Sequence, residues 1–318
     1  MSRLAPMLLE RKLVPRPWGG RALERLFGLA LPANETIGET WEVYDRPDGA
    51  SRVRGATTTL ADLMRDAREA LLGRGVAAGY GGRFPLVAKL IDAADRLSVQ
   101  VHPPHAVAAA DGDGGKSEAW VVLHAGPRAR IVRGLRAGVT RDELAAVAHT
   151  AAVEGLLHAF TPRAGDVIVV PPGTVHAIGP DVVVFEIQEN SDLTYRLWDW
   201  GRPRETHVAQ ALGVVRFDAT DDGLRRPVPT GDGGEWLVRE PAFAVRRYTT
   251  SAPIRLATGD RVHLLTLLGG RARVRTDGAA SVAVVPADTV VVPAAVGAVD
   301  VEPASGSVTV LWSGPGVG

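Results

Sequence analysis

Residues 165–176 constrain the fold of this chain more than any other stretch. They read Gly-Asp-Val-Ile-Val-Val-Pro-Pro-Gly-Thr-Val-His. The apolar β-branched run predicts a short buried strand, and Pro-Pro-Gly predicts a turn, because proline fixes φ and glycine adopts conformations that other residues avoid. A return strand then begins with His176. The segment therefore predicts an antiparallel connection that carries an imidazole, which is typical of a β-rich fold.

A second predicted strand brings two more polar side chains together. In the run Leu-Ser-Val-Gln-Val-His-Pro at 97–103, Gln100 and His102 share one face, because side chains alternate along a strand. Glu118 begins a further predicted strand. An amide, two imidazoles and a carboxylate from neighbouring strands suit a divalent, zinc-like ion. The expected metal ligands are therefore Gln100, His102, Glu118 and His176.

The composition excludes several classes of protein. Lysine plus arginine and aspartate plus glutamate number 36 each, so no excess charge draws the chain to nucleic acid or to an anionic membrane. The absence of cysteine excludes disulfides, thiolate ligands and iron–sulfur clusters. No apolar run reaches the roughly 18 to 20 residues that span a bilayer, and residues 1–17 are too interrupted for a signal peptide. We expect a cytoplasmic protein that binds neither nucleic acid nor membrane.

The length of the chain and one stretch rich in Asp, Gly and Pro predict two domains. A chain of 318 residues is longer than one core usually organises. Residues 218–234 are rich in Asp, Gly and Pro and are predicted to be a linker. We expect a catalytic domain at 1–217 and a smaller β domain at 235–318.

The predicted second domain contains a weak internal repeat. Residues 287–295 have the offsets of residues 165–173, with a proline at the same place in both. The position that matches His176 is Ala298. The repeat predicts a second β-barrel that cannot bind a metal.

Three segments outside the strands are predicted to be helical. Residues 60–72 carry apolar residues at helical spacing. Residues 140–158 begin with the capping box of Thr140 and Glu143 and are predicted to form one helix or two short ones. The third predicted helix covers 204–215.

Two predicted strands carry charged residues whose environment the sequence leaves open. Glu39 and Glu42 alternate with apolar residues, and they are interpreted either as solvated surface groups or as groups that face a site. Lys89 lies within an apolar run, where an ammonium rarely occurs without a partner. We expect it either to face a carboxylate or to lie on an edge strand.

Several of these segments resemble known families. The spacing of Gly165, Pro171, Gly173 and His176 resembles the second conserved motif of the cupin superfamily of small β-barrels. Seven stretches resemble, in order, the type I mannose-6-phosphate isomerases in their short bacterial form. They are Trp-Gly-Gly at 18–20, Ile-Gly-Glu-Thr-Trp-Glu at 37–42, residues 89–93, residues 97–103, Gly-Lys-Ser-Glu-Ala-Trp at 115–120, Gly-Thr-Val-His-Ala-Ile-Gly at 173–179, and residues 186–196.

The resemblance implies a fold and an activity. The fold is mainly β, with a cupin or jelly-roll barrel that carries the metal site, a few helices, and a smaller C-terminal β-barrel-like domain without metal ligands. The activity is the interconversion of mannose 6-phosphate and fructose 6-phosphate through an enediolate. It implies one Zn²⁺ per chain, held by the four ligands above, and a phosphorylated hexose as substrate. We expect a monomer or a weak homo-oligomer.

The resemblance also implies roles for individual residues. Arg196 would stabilise the enediolate or grip the substrate, and Lys116 would contact phosphate or transfer a proton. Asp192 and Glu186 are candidate acids or bases. The candidate substrate contacts are Ser98, Lys116, Arg202 and Trp18.

Two other functions fit the same ligands. His102, Glu118 and His176 alone form a set of two histidines and one carboxylate, which holds ferrous iron in some oxygenases, although Gln100 would occupy a position that oxygen chemistry leaves open. A sugar-phosphate-binding protein that kept the site and lost catalysis is the second alternative.

Overall fold

The computed structural model describes residues 4–79, 82–277 and 281–316. The fold is mainly β, as predicted. The strands before residue 200 are β1 (Met7–Leu8), β2 (Lys12–Gly20), β3 (Ile37–Val43), β4 (Asp45–Arg46), β5 (Gly49–Ala50), β6 (Leu86–Ala93), β7 (Val99–Val101), β8 (Glu118–Ala125), β9 (Ile131–Leu135), β10 (Leu157–Phe160), β11 (Val167–Val170), β12 (His176–Ile178), β13 (Val182–Glu189) and β14 (Tyr195–Trp198). The later strands are β15 (Leu224–Arg225), β16 (Val228–Pro229), β17 (Gly234–Arg239), β18 (Phe243–Thr250), β19 (Ile254–Ala257), β20 (His263–Arg275), β21 (Val282–Val284), β22 (Thr289–Val292) and β23 (Ala298–Pro315).

Short helices lie between the strands. They are α1 (Ala22–Phe27), α2 (Leu60–Leu72), α3 (Arg74–Gly79), α4 (His105–Ala108), α5 (Arg141–Val147) and α6 (Val208–Val214), with 3₁₀ turns at Ala109–Asp111, Ala151–Leu156 and Ala294–Val296. In the part of the chain that the structure describes, no helix is long and apolar enough to cross a membrane.

Two antiparallel sheets pack face to face in the first part of the chain. One has seven strands in the order β15-β11-β8-β13-β6-β3-β2, and the other has five in the order β10-β9-β12-β7-β14. Trp120 and Val184 of the first sheet share a buried cluster with Ile131 and Ile178 of the second. Burying both inner faces in this way is the main stabilising contribution of a β-sandwich. A cavity remains between the two sheets.

A third sheet is built mostly from the C-terminal part of the chain. Its order is β1-β22-β20-β23-β18-β17-β16, with β19 paired to β23 and β21 paired to β20. The N-terminal strand β1 therefore lies in this sheet, and within 218–234 β15 pairs with the first sheet while β16 pairs with the third. The boundaries at 217 and 235 stay a prediction.

The predicted helices differ in how well they match. Helix α2 covers the predicted range 60–72, begins with a capping box of Thr59 and Asp62, and ends at Gly73 with a φ of 88°. For 140–158, where one helix or two short ones were predicted, the structure has two short helical pieces, and only the last residues of the range differ because they form a strand. Helix α5 ends at Val147, Thr150 caps a 3₁₀ turn, and the following residues form β10. The third helix, α6, begins at Val208 rather than at residue 204.

The cap of α2 is a test of local stability. Thr59 accepts a hydrogen bond from the backbone N–H of Asp62 at 3.1 Å, and the Asp62 carboxylate accepts one from the Thr59 backbone at 2.9 Å. We expect Thr59→Ala to lower the free energy of unfolding by about 1 kcal/mol, because the backbone N–H of Asp62 in the first turn loses its acceptor. Urea unfolding measures the change. Thr57→Ala, at a neighbouring exposed position, should change it by less than about 0.5 kcal/mol, and equal effects would contradict the role of the cap.

Candidate active site

The cavity between the two facing sheets has a volume of about 370 Å³. Its walls combine charged side chains from both sheets with a few large apolar ones. Of the predicted site residues, those that line it are Trp18, Ser98, Gln100, Lys116, Glu118, His176, Glu186, Asp192 and Arg196.

Three buried side chains converge at the inner end of this cavity. His102, Glu118 and His176 each offer a ligand atom, and these atoms lie within 4.8 Å of one another. His176 Nε2 lies 3.2 Å from Glu118 Oε1, and His102 Nε2 lies 3.5 Å from Glu118 Oε2. Glu118 comes from β8 of the seven-stranded sheet and His176 from β12 of the five-stranded sheet. The packing of the two sheets therefore creates the cluster.

The two imidazoles are oriented as metal ligands are. His102 Nδ1 donates to the carbonyl of Leu193 and His176 Nδ1 donates to the carbonyl of Thr174, both at 2.9 Å, so each Nε2 directs its lone pair to the centre. Burial, followed by the positive charge of Lys116, lowers the pKa of His102 to about 3. Burial also lowers the pKa of His176. Both rings are therefore neutral, which is the state that binds a metal.

Glu118 completes the fit to a cation. Both carboxylate oxygens are buried, and neither accepts a hydrogen bond of good geometry from any described residue. Burial raises the pKa of Glu118, but the charge of Lys116 and the two imidazoles outweigh burial and hold that pKa well below its usual range. A buried carboxylate is costly unless cations are close to it, and here the ammonium of Lys116 lies 3.0 Å from Oε2 while Oε1 faces only the neutral ring of His176. The chemistry of these three residues therefore fits a divalent metal ion.

Gln100 lies beside the cluster, as the strand alternation predicts. It is directly opposite His176 across the β7–β12 pair, and its amide nitrogen donates to His176 Nε2 at 3.2 Å. Its amide oxygen accepts a hydrogen bond from Ser98 Oγ at 3.0 Å. To serve as a ligand, Gln100 would present this oxygen, which requires a half-turn of the amide and releases Ser98.

Lys116 lies between two members of the cluster. Its ammonium is 3.0 Å from Glu118 Oε2 and donates to His102 Nε2 at 3.1 Å. Burial lowers the pKa of Lys116, but the attraction of Glu118 and Glu186 outweighs burial and raises that pKa above its usual value. The lysine is therefore a buried positive charge beside the cluster.

A row of directly paired residues crosses the seven-stranded sheet next to the cluster. The pairs are Trp41 with Lys89, Lys89 with Glu186, and Glu186 with Trp120. Lys89 Nζ lies 3.4 Å from Glu186 Oε1 and 3.8 Å from an oxygen of Glu39. The Trp120 indole donates to Glu186 Oε2 at 2.9 Å. Because Lys89 also lines the cavity, it belongs to the site, although it was not among the predicted site residues. Its position in an apolar run was the feature of the sequence that could have identified it.

Burial changes the acid–base properties of the two carboxyls in this region. Burial, followed by repulsion from Glu118, raises the pKa of Glu186, although Lys89 opposes the shift. For Glu39, burial is outweighed by Lys89 and Arg16, which lower its pKa to about 2. The interpretation of Glu39 and Glu42 as solvated surface groups was wrong. Strand β3 is internal, so Glu39 faces the cavity and Glu42 is buried on the other side, 2.7 Å from Arg11.

Three arginines line the same cavity. Arg196, on β14 opposite Gln100, has a buried Nε without a hydrogen-bond partner among the described residues and donates from Nη1 to the Glu205 carbonyl at 2.8 Å. Burial and the charges of Arg204 and Arg16 lower its pKa. Arg16 and Arg204 also line the cavity, and each of them contacts a buried carboxylate. The unpaired Nε of Arg196 therefore gives the cavity wall a donor for an anion.

The structure does not bring Arg202 to the cavity. Its guanidinium contacts Asp199 at 2.9 Å and donates to the carbonyl of Arg96. Asp199 is buried and also binds Arg204. Arg204, two residues further along the chain, lines the cavity where Arg202 was expected.

The chain is similar to known proteins over most of its length. The family profile of the phosphomannose isomerase type I catalytic domain matches residues 7–114. The mannose-6-phosphate isomerase of Streptococcus mutans is 33% identical over 288 residues, which are 85% of this chain and 86% of that protein. The mannose-6-phosphate isomerase ManA of Bacillus subtilis is 36% identical over 221 residues, 66% of this chain and 68% of that protein.

The fold agrees with this similarity. A crystal structure of the mannose 6-phosphate isomerase from Bacillus subtilis superimposes with a TM-score of 0.86 at 28% identity, and the match covers 98% of this chain and 99% of that one. Sequence, fold and the cavity of buried histidines, carboxylates and arginines agree, and the chain therefore belongs to the type I mannose-6-phosphate isomerases, a family of aldose–ketose isomerases.

Proposed function

We propose that this protein is a zinc-dependent isomerase that interconverts mannose 6-phosphate and fructose 6-phosphate through an enediolate. The observation that carries the proposal is that His102, Glu118 and His176 converge at a cavity that three arginines also line. A sugar phosphate has hydroxyl and carbonyl oxygens at one end and a dianion at the other. The cavity is complementary to both.

The donor set favours zinc. Two neutral imidazoles and one carboxylate are borderline donors that suit Zn²⁺, and Gln100 can supply a fourth ligand. When bound, the ion acts as a Lewis acid that stabilises negative charge on the sugar oxygens. The four proposed ligands would hold it near Lys116, whose charge would add to the same effect.

The isomerisation moves one proton between adjacent carbons, and Glu186 is the proposed carrier. It lines the cavity, it is held by Trp120, and its raised pKa brings it closer to neutral pH, where a general base is most effective. Lys89, 3.4 Å away, stabilises the carboxylate before the first transfer and after the second. Asp192 also lines the cavity and is the alternative base.

The arginines have two proposed tasks. Arg196 pairs directly with Gln100 in the sheet, and its free Nε can donate to the oxygen that becomes negative in the enediolate. Arg16 and Arg204 would bind the phosphate, because guanidinium groups match phosphate geometry. Ser98 and Trp18 complete the proposed substrate contacts on the cavity wall.

Turnover in the presence of a chelator tests the proposal. We expect the purified protein to form fructose 6-phosphate from mannose 6-phosphate, to lose this activity when a strong chelator removes its metal, and to regain it with Zn²⁺. The rate is measured with coupling enzymes that convert and oxidise the product while they reduce a nicotinamide cofactor. Metal analysis should give one zinc per chain.

Other results would favour the two alternatives. Bound iron with oxygen uptake and no isomerisation would identify an oxygenase. Metal binding and sugar-phosphate binding without turnover would identify a binding protein. The cytoplasmic location and the monomeric or weakly oligomeric state remain predictions of the sequence.

A further inference from the structure

The third sheet repeats the strand pairing of the catalytic one at a constant offset. Strand β11 begins at Val167 and β22 begins at Thr289, and β12 and β23 begin at His176 and Ala298, so both pairs differ by 122 positions. This agrees with the spacing repeat between residues 165–173 and 287–295. The two regions can therefore be compared residue by residue through their registers.

The comparison places His263 where Glu118 stands. Val170 pairs with Glu118, and the residue 122 positions later, Val292, pairs with His263. His176 pairs with Gln100, and the residue 122 positions after His176, Ala298, pairs with Ala257. Two proposed ligands are thus replaced by alanines. The second barrel cannot hold the same metal, but it has a polar group at the equivalent place.

A cross-strand row is also repeated. In the catalytic sheet Trp41, Lys89 and Glu186 lie in register, and in the third sheet the corresponding residues are Trp236, Arg246 and Trp312. Trp120 comes two residues after Glu118, and Leu265 comes two residues after His263. Trp120 pairs with Glu186 and Leu265 pairs with Trp312, so Trp312 is the counterpart of Glu186. The aromatic and cationic positions are kept, and the proposed proton carrier is replaced by an indole.

These residues line a second cavity of about 420 Å³. Arg246 lies 4.8 Å from the Trp236 ring centre, and the His263 ring lies 4.7 Å from that of Trp312. His263 is 3% exposed, and its Nδ1 has no hydrogen-bond partner in the described part of the chain. The buried Nε of Arg246 is free in the same sense. Two polar groups inside the barrel therefore lack partners, which is costly without a ligand.

The charges around this cavity favour an anion. Arg246, Arg255 and Arg261 line it together with one carboxylate, that of Asp232. Asp232 contacts Arg246 at 2.6 Å, and Arg255 contacts Asp300 at 2.8 Å, so the first two arginines are partly neutralised. Arg261 donates to the carbonyl of Gly316 and adds a positive charge at the rim.

We propose that the C-terminal barrel binds a sugar phosphate in this cavity and does not convert it. The indoles of Trp236 and Trp312 would pack against the apolar face of the sugar ring, His263 would hydrogen-bond a hydroxyl, and the arginines would bind the phosphate. The site lacks the paired imidazoles and the base of the first cavity. It is a binding site only.

Counting bound ligand tests this second site. Equilibrium dialysis of the full-length, metal-loaded protein against fructose 6-phosphate should give two molecules per chain. Arg261→Met should weaken one of the two sites by about tenfold or more, because a charge-assisted contact to phosphate is lost, and should leave kcat and KM unchanged. Arg273→Met, an exposed arginine on β20 outside the cavity, is the matched control and should leave both sites intact.

Further arms separate a sugar-phosphate site from simpler explanations. Trp236→Leu should weaken the same site, and inorganic phosphate or uncharged fructose alone should bind there at least about tenfold more weakly than the sugar phosphate. Phosphate that binds as tightly as the sugar phosphate would overturn the proposal. So would a count that is the same in the wild type, in Arg261→Met and in Trp236→Leu.

This count is independent of turnover. One molecule per chain that is lost in Arg261→Met would contradict sugar-phosphate binding in the first cavity and would still support the second site. Two molecules per chain in both cavity variants would leave the proposed isomerase intact and overturn the second site.

Discussion

His176→Ala should abolish zinc binding and lower isomerase activity by about a thousandfold or more. The variant removes one of the two imidazoles that direct Nε2 to the centre and leaves Glu118 without that neighbour. A loss of several kcal/mol of charge stabilisation in the transition state corresponds to this change in rate. Metal content of the purified variant and kcat/KM with mannose 6-phosphate measure the two effects. The fold should persist, because the ring is replaced by a smaller apolar side chain.

A second histidine in the same sheet is the control. His158 lies on β10 and contacts Asp222 at 2.6 Å, outside the cavity. His158→Ala should therefore retain one zinc per chain and nearly full activity. Full zinc content and activity in His176→Ala would show that the zinc is bound elsewhere.

Arg196→Met should keep the zinc and lower kcat by about a hundredfold to a thousandfold. The side chain lies on the strand next to Gln100, lines the cavity, and has a donor that no described residue uses. Removal of one preorganised donor to a developing oxyanion has costs of this size in other enzymes. Because the contact is proposed for the transition state, kcat should fall more than KM rises.

Arg202→Met separates this role from a general loss of positive charge. Arg202 is held by Asp199 away from the cavity, and Arg204 remains to neutralise that carboxylate. The variant should lose less than about tenfold in kcat/KM, since no contact to the reacting atoms is removed. Equal losses in Arg196→Met and Arg202→Met would contradict the placement of Arg196 in the reaction, and unchanged turnover in Arg196→Met would remove it from the mechanism.

Local patterns in the sequence were sufficient for several features. The apolar spacing of residues 60–72 predicted α2, since helix signals act over one or two turns. Strand alternation placed Gln100 and His102 on one face, and both now lie next to His176. The mainly β fold followed from the same alternation together with the Pro-Gly turn and the family resemblance. Each of these signals spans only a few residues.

Other features depend on which strands become neighbours. The sequence marked Lys89 as unusual, but the register of β6 against β13 made Glu186 its partner. The sequence analysis named Arg202, but Arg204 is the arginine that lines the cavity. Both are held by one buried carboxylate, Asp199, and this contact is a property of the tertiary structure.

The sequence by itself determined the candidate metal ligands and the types of the main elements, because alternation, turns and caps are properties of short stretches of backbone. Only the tertiary structure decided the pairing of Lys89 with Glu186, the arginines of the cavity, and the equivalence of His263 with Glu118. Strand register is set by the summed packing of residues far apart in the chain, and no local pattern contains that sum.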